Sequence, residues 1–504
     1  MARRGLDMDG SVDAKRVSGV FQQERKEAMN AGKWLSGLGA LALTVFAAGC
    51  GAGNATMQTP PPPQSATIFI SGTDAPLPSV ISFKVTIMGI SVSEAGGMPV
   101  TVTNGPQDVD FAKLNGLHTL IDLNTIPAGT YDSVTVTLAN PEIDYLNVAN
   151  PQTNPPTRPT ISAYTATTTP PATLTTSSVT VNLSNPLVVN AGDVIGLGFE
   201  FDIRQSLQVG TNGQLTGAVN PTLDFKAITP SDADAYIDEF TAGVTTINAG
   251  GNSFTIQGPH GRAFTVDVNQ QTEWEGNETI NDLTTSSIVL ISGTLDRTAG
   301  TFDADTVAIL SQNQFYAGGL ITFVDPPTGT AQDFDLYVRS VLPANTGFHS
   351  GQISTIDLTG NEKYFIYWMH NRFVNPRWSN IFFNSALMVP GQRVTIGGPF
   401  TNGTVTVKRV VLRHEGHVGT LVANSVNVGA STFQYNSNGL AGVLFNGPVT
   451  VYVTPFTRFG GGLTSLQDLT SNPTNPLRVV GIVLKDPISS QPVFVARSVV
   501  EVTK

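Results

Sequence analysis

The sequence of 504 residues contains one cysteine, Cys50, so it cannot form a disulfide within the chain or a zinc site built from several cysteines. Charged residues are also sparse, at 13% of the chain, and the net charge is −11. A surface of that sign repels nucleic acid, whose binding rests on neutralising phosphates with Lys and Arg, and it repels anionic lipid headgroups. We therefore expect no nucleic-acid partner.

Apolar runs long enough to cross a bilayer are lacking as well. The run between Lys33 and Cys50 covers about 15 residues, fewer than the roughly 20 that a transmembrane helix needs. A basic residue precedes this run and Ala47-Ala48-Gly49 follow it, which is the order of a secretory signal. Residues 1–49 are therefore predicted to be a signal region that is cut away. We hypothesise that translation starts at Met29, from which a signal of ordinary length would begin.

Cys50 follows the small residues directly, and Ala47-Ala48-Gly49-Cys50 resembles the lipobox of bacterial lipoproteins. In that family the thiol receives a diacylglycerol, the preceding peptide bond is cut and the new amino group is acylated. The resemblance therefore implies lipidation of Cys50 and membrane attachment through the lipid, since several acyl chains make a stable anchor. The residue after Cys50 is Gly51 and not aspartate, and in this respect the chain resembles lipoproteins that are released to the outer membrane. We expect a lipid-anchored protein of the cell envelope, on the periplasmic or surface face of the outer membrane.

Residues 50–65 are predicted to be a tether. Small polar residues after Cys50 lead to the consecutive prolines Pro60 to Pro63. Such a composition predicts a flexible leash that ends in a stiff polyproline II spacer. The tether would hold the folded part away from the bilayer.

Turn formers and β-branched residues dominate the rest of the chain, with 50 glycines and 32 prolines, and they favour β structure. Residues 66–229 contain short alternating runs such as Ser133-Val134-Thr135-Val136-Thr137-Leu138, separated by turn residues. This pattern predicts an antiparallel β-sandwich. The Pro- and Thr-rich insertion at 147–175 is predicted to be an exposed loop, because it buries little apolar surface.

Three segments of this first unit resemble an uncharacterised lipoprotein domain family of bacterial envelopes. They are Ser71-Gly72-Thr73-Asp74-Ala75-Pro76, Ile126-Pro127-Ala128-Gly129-Thr130-Tyr131 and Phe199-Glu200-Phe201-Asp202. The resemblance covers about a third of the chain. It implies placement in the envelope and no particular activity.

From about residue 235 the chain repeats itself loosely, in segments 235–312, 315–414 and 417–504. Each segment has about five short strands, and closure into a small barrel avoids exposed sheet edges. The rhythm resembles a second uncharacterised bacterial family of small repeated β-barrel domains, with some likeness to OB-fold barrels. The predicted fold is therefore all-β, with one antiparallel β-sandwich followed by about three small OB-like β-barrel repeats.

An aromatic stretch in the second repeat is the candidate ligand-binding surface. On a strand from Tyr364 to Met369 both faces would be apolar, which is typical of burial between two barrels. The alternative is an exposed platform that stacks on sugar rings or contacts a partner protein. The candidate residues are Tyr364, Tyr367, Trp368, Phe373 and Trp378.

His414-Glu415-Gly416-His417 is the one histidine cluster of the sequence. A zinc protease motif needs histidines at i and i+4 on a helix, whereas Gly416 favours a loop here. We expect a solvated linker between the second and third repeats, with metal binding as the alternative.

Two pairs of alternating acidic residues lie in the first unit, Asp108 with Asp110 and Glu200 with Asp202. Solvated strand faces are the expected setting for such pairs. Calcium binding and glycosidase chemistry are the alternatives, since both use carboxylates at suitable separations.

The sequence contains no Gly-x-Ser-x-Gly elbow, phosphate-cradling loop or Cys/His nucleophile pair. We therefore expect a non-catalytic binding or scaffolding module without a cofactor or metal, partnered by the membrane through its lipid and by a glycan or an envelope protein. The alternatives are polysaccharide recognition through the second repeat and an envelope hydrolase that uses the first-unit carboxylates.

Overall fold

β-Strands make up almost all regular structure in the computed structural model, as the all-β prediction requires. The described residues are 65–75, 79–103, 105–114, 117, 119–147, 158–211, 214–228, 236–257, 263–275, 278–296, 301–310, 314–366, 382–401, 404–437, 447–486 and 488–502. Within them, no helix combines the length and the hydropathy that crossing a membrane requires.

Two sheets packed face to face form the N-terminal part, which we call the sandwich. One sheet has the order β13-β10-β1-β5, and the other has the order β3-β2-β6-β7 with β4 beside β2 and β9 beside β6. The strands of this part are β1 (Ser65–Ala75), β2 (Val80–Ser93), β3 (Val100–Thr101), β4 (Gln107–Asp110), β5 (Thr119–Pro127), β6 (Gly129–Asn147), β7 (Thr160–Tyr164), β8 (Thr173–Leu174), β9 (Ser178–Val189), β10 (Val194–Asp202), β11 (Leu207–Val209), β12 (Leu215–Val219) and β13 (Leu223–Ile228), with the helix α1 (Ile203–Ser206) between β10 and β11. β11, β12 and β8 form a separate small sheet in that order.

Alternating side chains of the two sheets interdigitate to form the sandwich core. Phe83 of β2 meets Phe201 of β10 edge to face with ring centroids 4.9 Å apart, and Phe199 stacks on Phe225 at 4.8 Å. Such aromatic contacts add stability beyond the area that they bury. β1 and β10 run parallel, whereas the pairing of β1 with β5 and of β2 with β6 is antiparallel, as the sequence predicts for a sandwich.

The remaining strands form three further sheets, which we call barrel 1, barrel 2 and barrel 3. Barrel 1 consists of β14 (Tyr236–Asn248), β15 (Ser253–Gln257), β16 (Ala263–Asp267), β17 (Glu273–Trp274), β18 (Ile288–Asp296) and β19 (Thr301–Leu310). Barrel 2 consists of β20 (Gln314–Asp325), β21 (Asp333–Leu342), β22 (Ile353–Asp357), β23 (Lys363–Ile366), β24 (Arg393–Thr401), β25 (Thr404–Val405) and β26 (Arg409–Leu412). Barrel 3 consists of β27 (Glu415–Leu421), β28 (Thr432–Ser437), β29 (Val449–Gly460), β30 (Leu477–Lys485) and β31 (Pro492–Glu501).

One strand order is common to the three barrels. In barrel 3 the ring β27-β28-β29-β31-β30 closes, with β29 and β31 parallel. In barrel 1 the parallel pairing of β16 with β19 closes the equivalent ring β14-β15-β16-β19-β18. Barrel 2 follows the same order, but its third strand is divided into β22, which pairs with β21, and β23, which pairs in parallel with β26. Two antiparallel neighbours for the first strand and one parallel pair thus recur three times, and the ring of pairings closes in barrels 1 and 3.

Glycines mark the same bulge in barrels 1 and 3. The register of β18 against β19 shifts at Gly293, and the register of β30 against β31 shifts at Gly481. A Cβ at Gly293 would lie 2.1 Å from the carbonyl oxygen of Asp303, and a Cβ at Gly481 would lie 2.0 Å from that of Val495. Only glycine permits this close approach of the two strands.

The insertion predicted as an exposed loop is in part regular structure. Residues 148–157 lie outside the described residues, but β7 continues the sheet by pairing with β6, and β8 pairs in parallel with β12. The prediction is wrong for these segments because backbone pairing stabilises them although they carry few large apolar side chains.

Ion pairs join the sandwich to the barrels and the barrels to one another. Arg158, beside β7, donates hydrogen bonds of 2.6 Å to Asp335 and 2.7 Å to Asp333 of barrel 2. Glu275 of barrel 1 accepts a 2.7 Å hydrogen bond from Arg413, which follows β26. A desolvated charge without its partner is costly, so the buried pair of Glu275 with Arg413 fixes how barrels 1 and 2 pack, whereas Arg158 is 38% exposed.

Candidate functional site

Only part of the predicted aromatic surface falls within the described residues. Tyr367, Trp368, Phe373 and Trp378 lie outside them, as does Cys50. Tyr364 is described and is half-buried, with its ring edge to face against Phe383 at 5.7 Å. Burial raises the pKa of the Tyr364 hydroxyl to about 12. The neighbouring Phe365 is 40% exposed, so the two faces of this strand differ.

The segment His414-Glu415-Gly416-His417 is buried, and the prediction of a solvated linker is wrong. Glu415 begins β27, and residues 415–419 pair with β30. The side chains of His414, Glu415 and His417 are all buried. The sequence did not show this because the charged groups that surround the segment come from distant parts of the chain.

Burial and neighbouring arginines keep both histidines neutral. Burial is the main cause that holds the pKa of His414 well below its usual value. The positive charges of Arg497, Arg393 and Arg413 lower this pKa further. Burial and the positive charge of Arg339 lower the pKa of His417 to about 3. Among the described residues, no three His, Cys, Asp or Glu side chains converge as a metal site.

The acidic pairs of the sandwich make structural contacts. Asp110 accepts hydrogen bonds of 3.0 Å from the Ser82 hydroxyl and from the Phe83 backbone, and it is buried, contrary to the expected solvated face. Asp108 accepts one of 2.6 Å from Thr86. Asp202 caps α1 through a 2.8 Å bond from the Gln205 backbone, and Glu200 lies 4.0 Å from Arg478. These contacts favour neither the calcium site nor the hydrolase.

A cleft of about 790 Å³ lies where the sandwich, barrel 1 and barrel 2 meet. We call it the junction cleft. The short 3-10 helix at 111–114 and the start of β5 supply the sandwich side of its lining. Strands β14 and β18 supply the barrel 1 side, and β20, β21 and β24 supply the barrel 2 side. The first strands of two barrels with the same topology thus line one cavity.

Four basic residues line the junction cleft, and none of its described lining residues is acidic. The basic residues are Lys113, Arg339, Arg393 and Arg413. Two carboxylates lie behind this lining. Glu275 pairs with Arg413 and also lies 3.4 Å from Arg409, and Glu415 lies 3.7 Å from Arg339. The described lining of the cleft is therefore basic, in a chain whose net charge is −11.

Arg339 is the lining residue that is best placed to take a ligand. Its side chain is 6% exposed, and its Nε and Nη1 atoms are buried without a hydrogen bond within the described part of the chain. A buried guanidinium normally has acceptors for its five N–H groups, and a planar acid satisfies them two at a time. Arg393 and Arg413 differ, since Arg393 donates to the His414 carbonyl at 3.1 Å and Arg413 donates to Thr395 at 3.1 Å.

Sequence reasoning missed the junction cleft. Its four basic residues are spread from position 113 to position 413 and form no local motif. Each also stands alone among uncharged neighbours or near an acidic residue in the sequence, so the overall negative charge concealed the basic lining of the cleft.

Comparisons with known proteins give one informative match. No curated protein matches the chain. A solved structure from Drosophila, titled "drosophila Unr CSD456", is matched at 10% identity over 53% of this chain and 97% of that chain, with a TM-score of 0.13. At that score the likeness carries no argument about fold or function. Residues 65–216 match the family model DUF4382, described as a domain of unknown function, which agrees with the uncharacterised domain that the sequence indicates for the sandwich.

Proposed function

We propose that the protein is an exported, lipid-anchored envelope protein that acts as a non-catalytic binding module. The lipobox-like Ala47-Ala48-Gly49-Cys50 and the proline-rich tether support the anchor. The strand order common to the three barrels supports the resemblance to repeated small-barrel proteins of bacteria. The outer membrane, on its periplasmic or surface face, is the proposed location.

The junction cleft is the observation that favours binding over scaffolding alone. Pockets that hold small ligands measure about 300–1,000 Å³ and combine apolar walls with a few placed polar groups. The cleft has that size, and its lining mixes apolar side chains with four basic ones. The ion pairs of Glu275 with Arg413 and of Arg158 with Asp335 hold its three contributing domains together, so the cavity exists before a ligand arrives.

Cys50→Ser tests the anchor. Cells that express the wild-type chain should retain it in the outer-membrane fraction and incorporate labelled palmitate into it. The variant should lose the label and leave that fraction, while its circular dichroism stays that of an all-β protein. A wild-type chain that takes up no palmitate would contradict the proposal.

Glycan binding through the aromatic stretch is the second candidate. Phe365 and Phe382 are 40% and 60% exposed, and they flank the two ends of segment 367–381, which holds Tyr367, Trp368, Phe373 and Trp378. Exposed aromatic rings of this kind stack on sugar rings. Trp368→Ala and Trp378→Ala should weaken retention on cell-wall or extracellular glycans and leave the melting temperature nearly unchanged. Equal retention of both variants would contradict this candidate.

A further inference from the structure

We propose that the junction cleft binds a small amphipathic anion, whose acidic head pairs with Arg339 and whose apolar body lies along the cleft wall towards Ile288 and Leu342. This inference rests on the proposed binding function and names its ligand class. The three features that carry it are the unsatisfied guanidinium, the basic lining of the cleft and the apolar rim.

The head-group site is built around Arg339. The side chain is 6% exposed, and Nε and Nη1 have no hydrogen bond to any described residue. The nearest carboxylate oxygen, Oε1 of Glu415, lies 3.7 Å from Nη1, which is beyond hydrogen-bond distance. A carboxylate or phosphate in the cleft would supply acceptors to both nitrogens. Such charge-assisted, paired contacts are the strong ones that arginine makes.

The charge around this site favours an anion. Lys113, Arg393 and Arg413 line the same cleft, and Arg409 stands behind it with Glu275. Glu275 and Glu415 offset part of this positive charge, and Glu278 also lies near Arg409. His414 adds nothing to either side, because its depressed pKa keeps the ring neutral. A cleft with low-dielectric walls concentrates such a field and draws anions into it.

The wall and rim of the cleft are apolar. Leu117 and Phe240 are buried in the wall, whereas Ile288 and Leu342 line the cleft and remain 41% and 37% exposed. An apolar ligand body that covers Ile288 and Leu342 would remove them from water. A free inorganic anion would leave them exposed, so the lining fits an acid with an apolar chain better than phosphate alone.

Gly243 leaves room for the ligand. It lines the cleft on β14, and a Cβ built on it would meet nothing within 4 Å. Its φ lies outside the left-handed region, so a side chain is compatible with the backbone there. A large side chain at this position would therefore occupy the cleft without straining the strand.

Dodecanoate is the probe for the test. The full chain carrying Cys50→Ser, which lacks acylation and allows work without detergent, is titrated by calorimetry. Dodecanoate should bind, whereas acetate, which lacks the apolar chain, and dodecyltrimethylammonium, which reverses the charge of the head, should bind at least tenfold more weakly. Dodecyl phosphate in place of dodecanoate distinguishes a carboxylate from a phosphate head.

Three variants locate the site. Arg339→Gln and Gly243→Leu should each weaken dodecanoate binding at least tenfold, whereas Arg458→Gln, at an exposed arginine of barrel 3, should leave it unchanged. If Arg339→Gln lowers the melting temperature, Gly243→Leu decides the question, because its backbone tolerates the change. No binding, equal binding of the cationic detergent, or binding unaffected by both variants would overturn the inference. Any of these results would leave lipidation of Cys50 untouched, so the anchored-protein proposal is tested separately.

Discussion

The hydroxyl of Tyr337 donates a 2.8 Å hydrogen bond to Asp144 and so joins barrel 2 to the sandwich. Tyr337 is buried in a small apolar cluster with Ile81, Leu146 and Leu320, which come from both domains. Burial raises the pKa of the Tyr337 hydroxyl above its usual range, and the hydroxyl therefore remains a donor. The domain junction thus combines an apolar contact with a directed polar one.

Tyr337→Phe should lower the free energy of unfolding by about 1.5–3 kcal/mol, the usual value for a hydrogen bond to a charged group. The ring and its apolar contacts stay, so the loss reports the bond to Asp144. Urea unfolding measures it. Glu142→Gln, on the strand that carries Asp144, is the control, because its exposed pair with Lys84 at 3.9 Å should contribute less than about 1 kcal/mol. Equal effects of the two variants would contradict the role of the Tyr337 bond.

Glu275→Gln should lower the free energy of unfolding by about 3–5 kcal/mol, because it leaves the buried Arg413 guanidinium and the nearby Arg409 without their carboxylate. The junction between barrels 1 and 2 should loosen first, seen as faster amide exchange in β17 and β26. Asp357→Asn, at an exposed position of barrel 2, serves as the control and should change stability by less than about 0.5 kcal/mol. Unchanged exchange at both strands would argue against this pair as a domain clamp.

Acid should destabilise the fold through His414 and His417. Both pKa values are lowered in the folded state, that of His417 to about 3, so the unfolded chain binds protons that the folded chain does not. The free energy of unfolding should therefore fall as the pH drops below about 6.5, by up to about 1.4 kcal/mol per pH unit for each histidine.

Urea unfolding at pH 7.5 and pH 5.5 measures this loss. His417→Gln should remove about half of the histidine-dependent loss, whereas His349→Gln, at an exposed site, should remove none. A loss of the same size in His417→Gln and in the wild type would show that the buried ring does not control acid stability.

The effect of replacing a glycine should differ between β14 of barrel 1 and β27 of barrel 3, because the neighbouring backbone approaches only the second glycine closely. A Cβ at Gly419 would lie 2.0 Å from the carbonyl oxygen of Asn436, whereas a Cβ at Gly243 would meet nothing within 4 Å. Gly419→Ala should therefore cost about 1–3 kcal/mol through overpacking, and Gly243→Ala should stay within about 0.5 kcal/mol of the wild type. Thermal unfolding compares them, and equal melting temperatures would contradict the difference in packing.

The fold class could be predicted from short runs of alternating apolar and polar residues. The alternation in Ser133-Val134-Thr135-Val136-Thr137-Leu138 predicts a half-buried strand, and β6 buries Val134, Val136 and Leu138. The parallel pairing of β1 with β10 could not be predicted from the sequence, because the two strands are more than 100 residues apart and no local pattern specifies their relative direction. Likewise, Thr160–Tyr164 becomes a strand only because β6 offers an edge.

The junction cleft and the burial of His414 were not predicted, because the charged residues that meet there are far apart in the sequence. Arg158 and Asp333 are 175 residues apart, and Glu275 and Arg413 are 138 apart. Sequence patterns report neighbours along the chain, so His414 looked like part of a solvated linker. The arginines that surround it lie on strands from other parts of the chain. For the aromatic stretch, the sequence predicted burial of both strand faces, whereas Tyr364 is half-buried and Phe365 is 40% exposed.

Mass spectrometry of the mature N-terminus, taken from native membranes, tests whether the protein is lipid-anchored. The mature chain should begin at Cys50 and carry a diacylglyceryl group on its sulfur and an acyl group on its amino terminus. A chain that retains residues before Cys50 with an unmodified thiol, recovered from the cytosol, would contradict it.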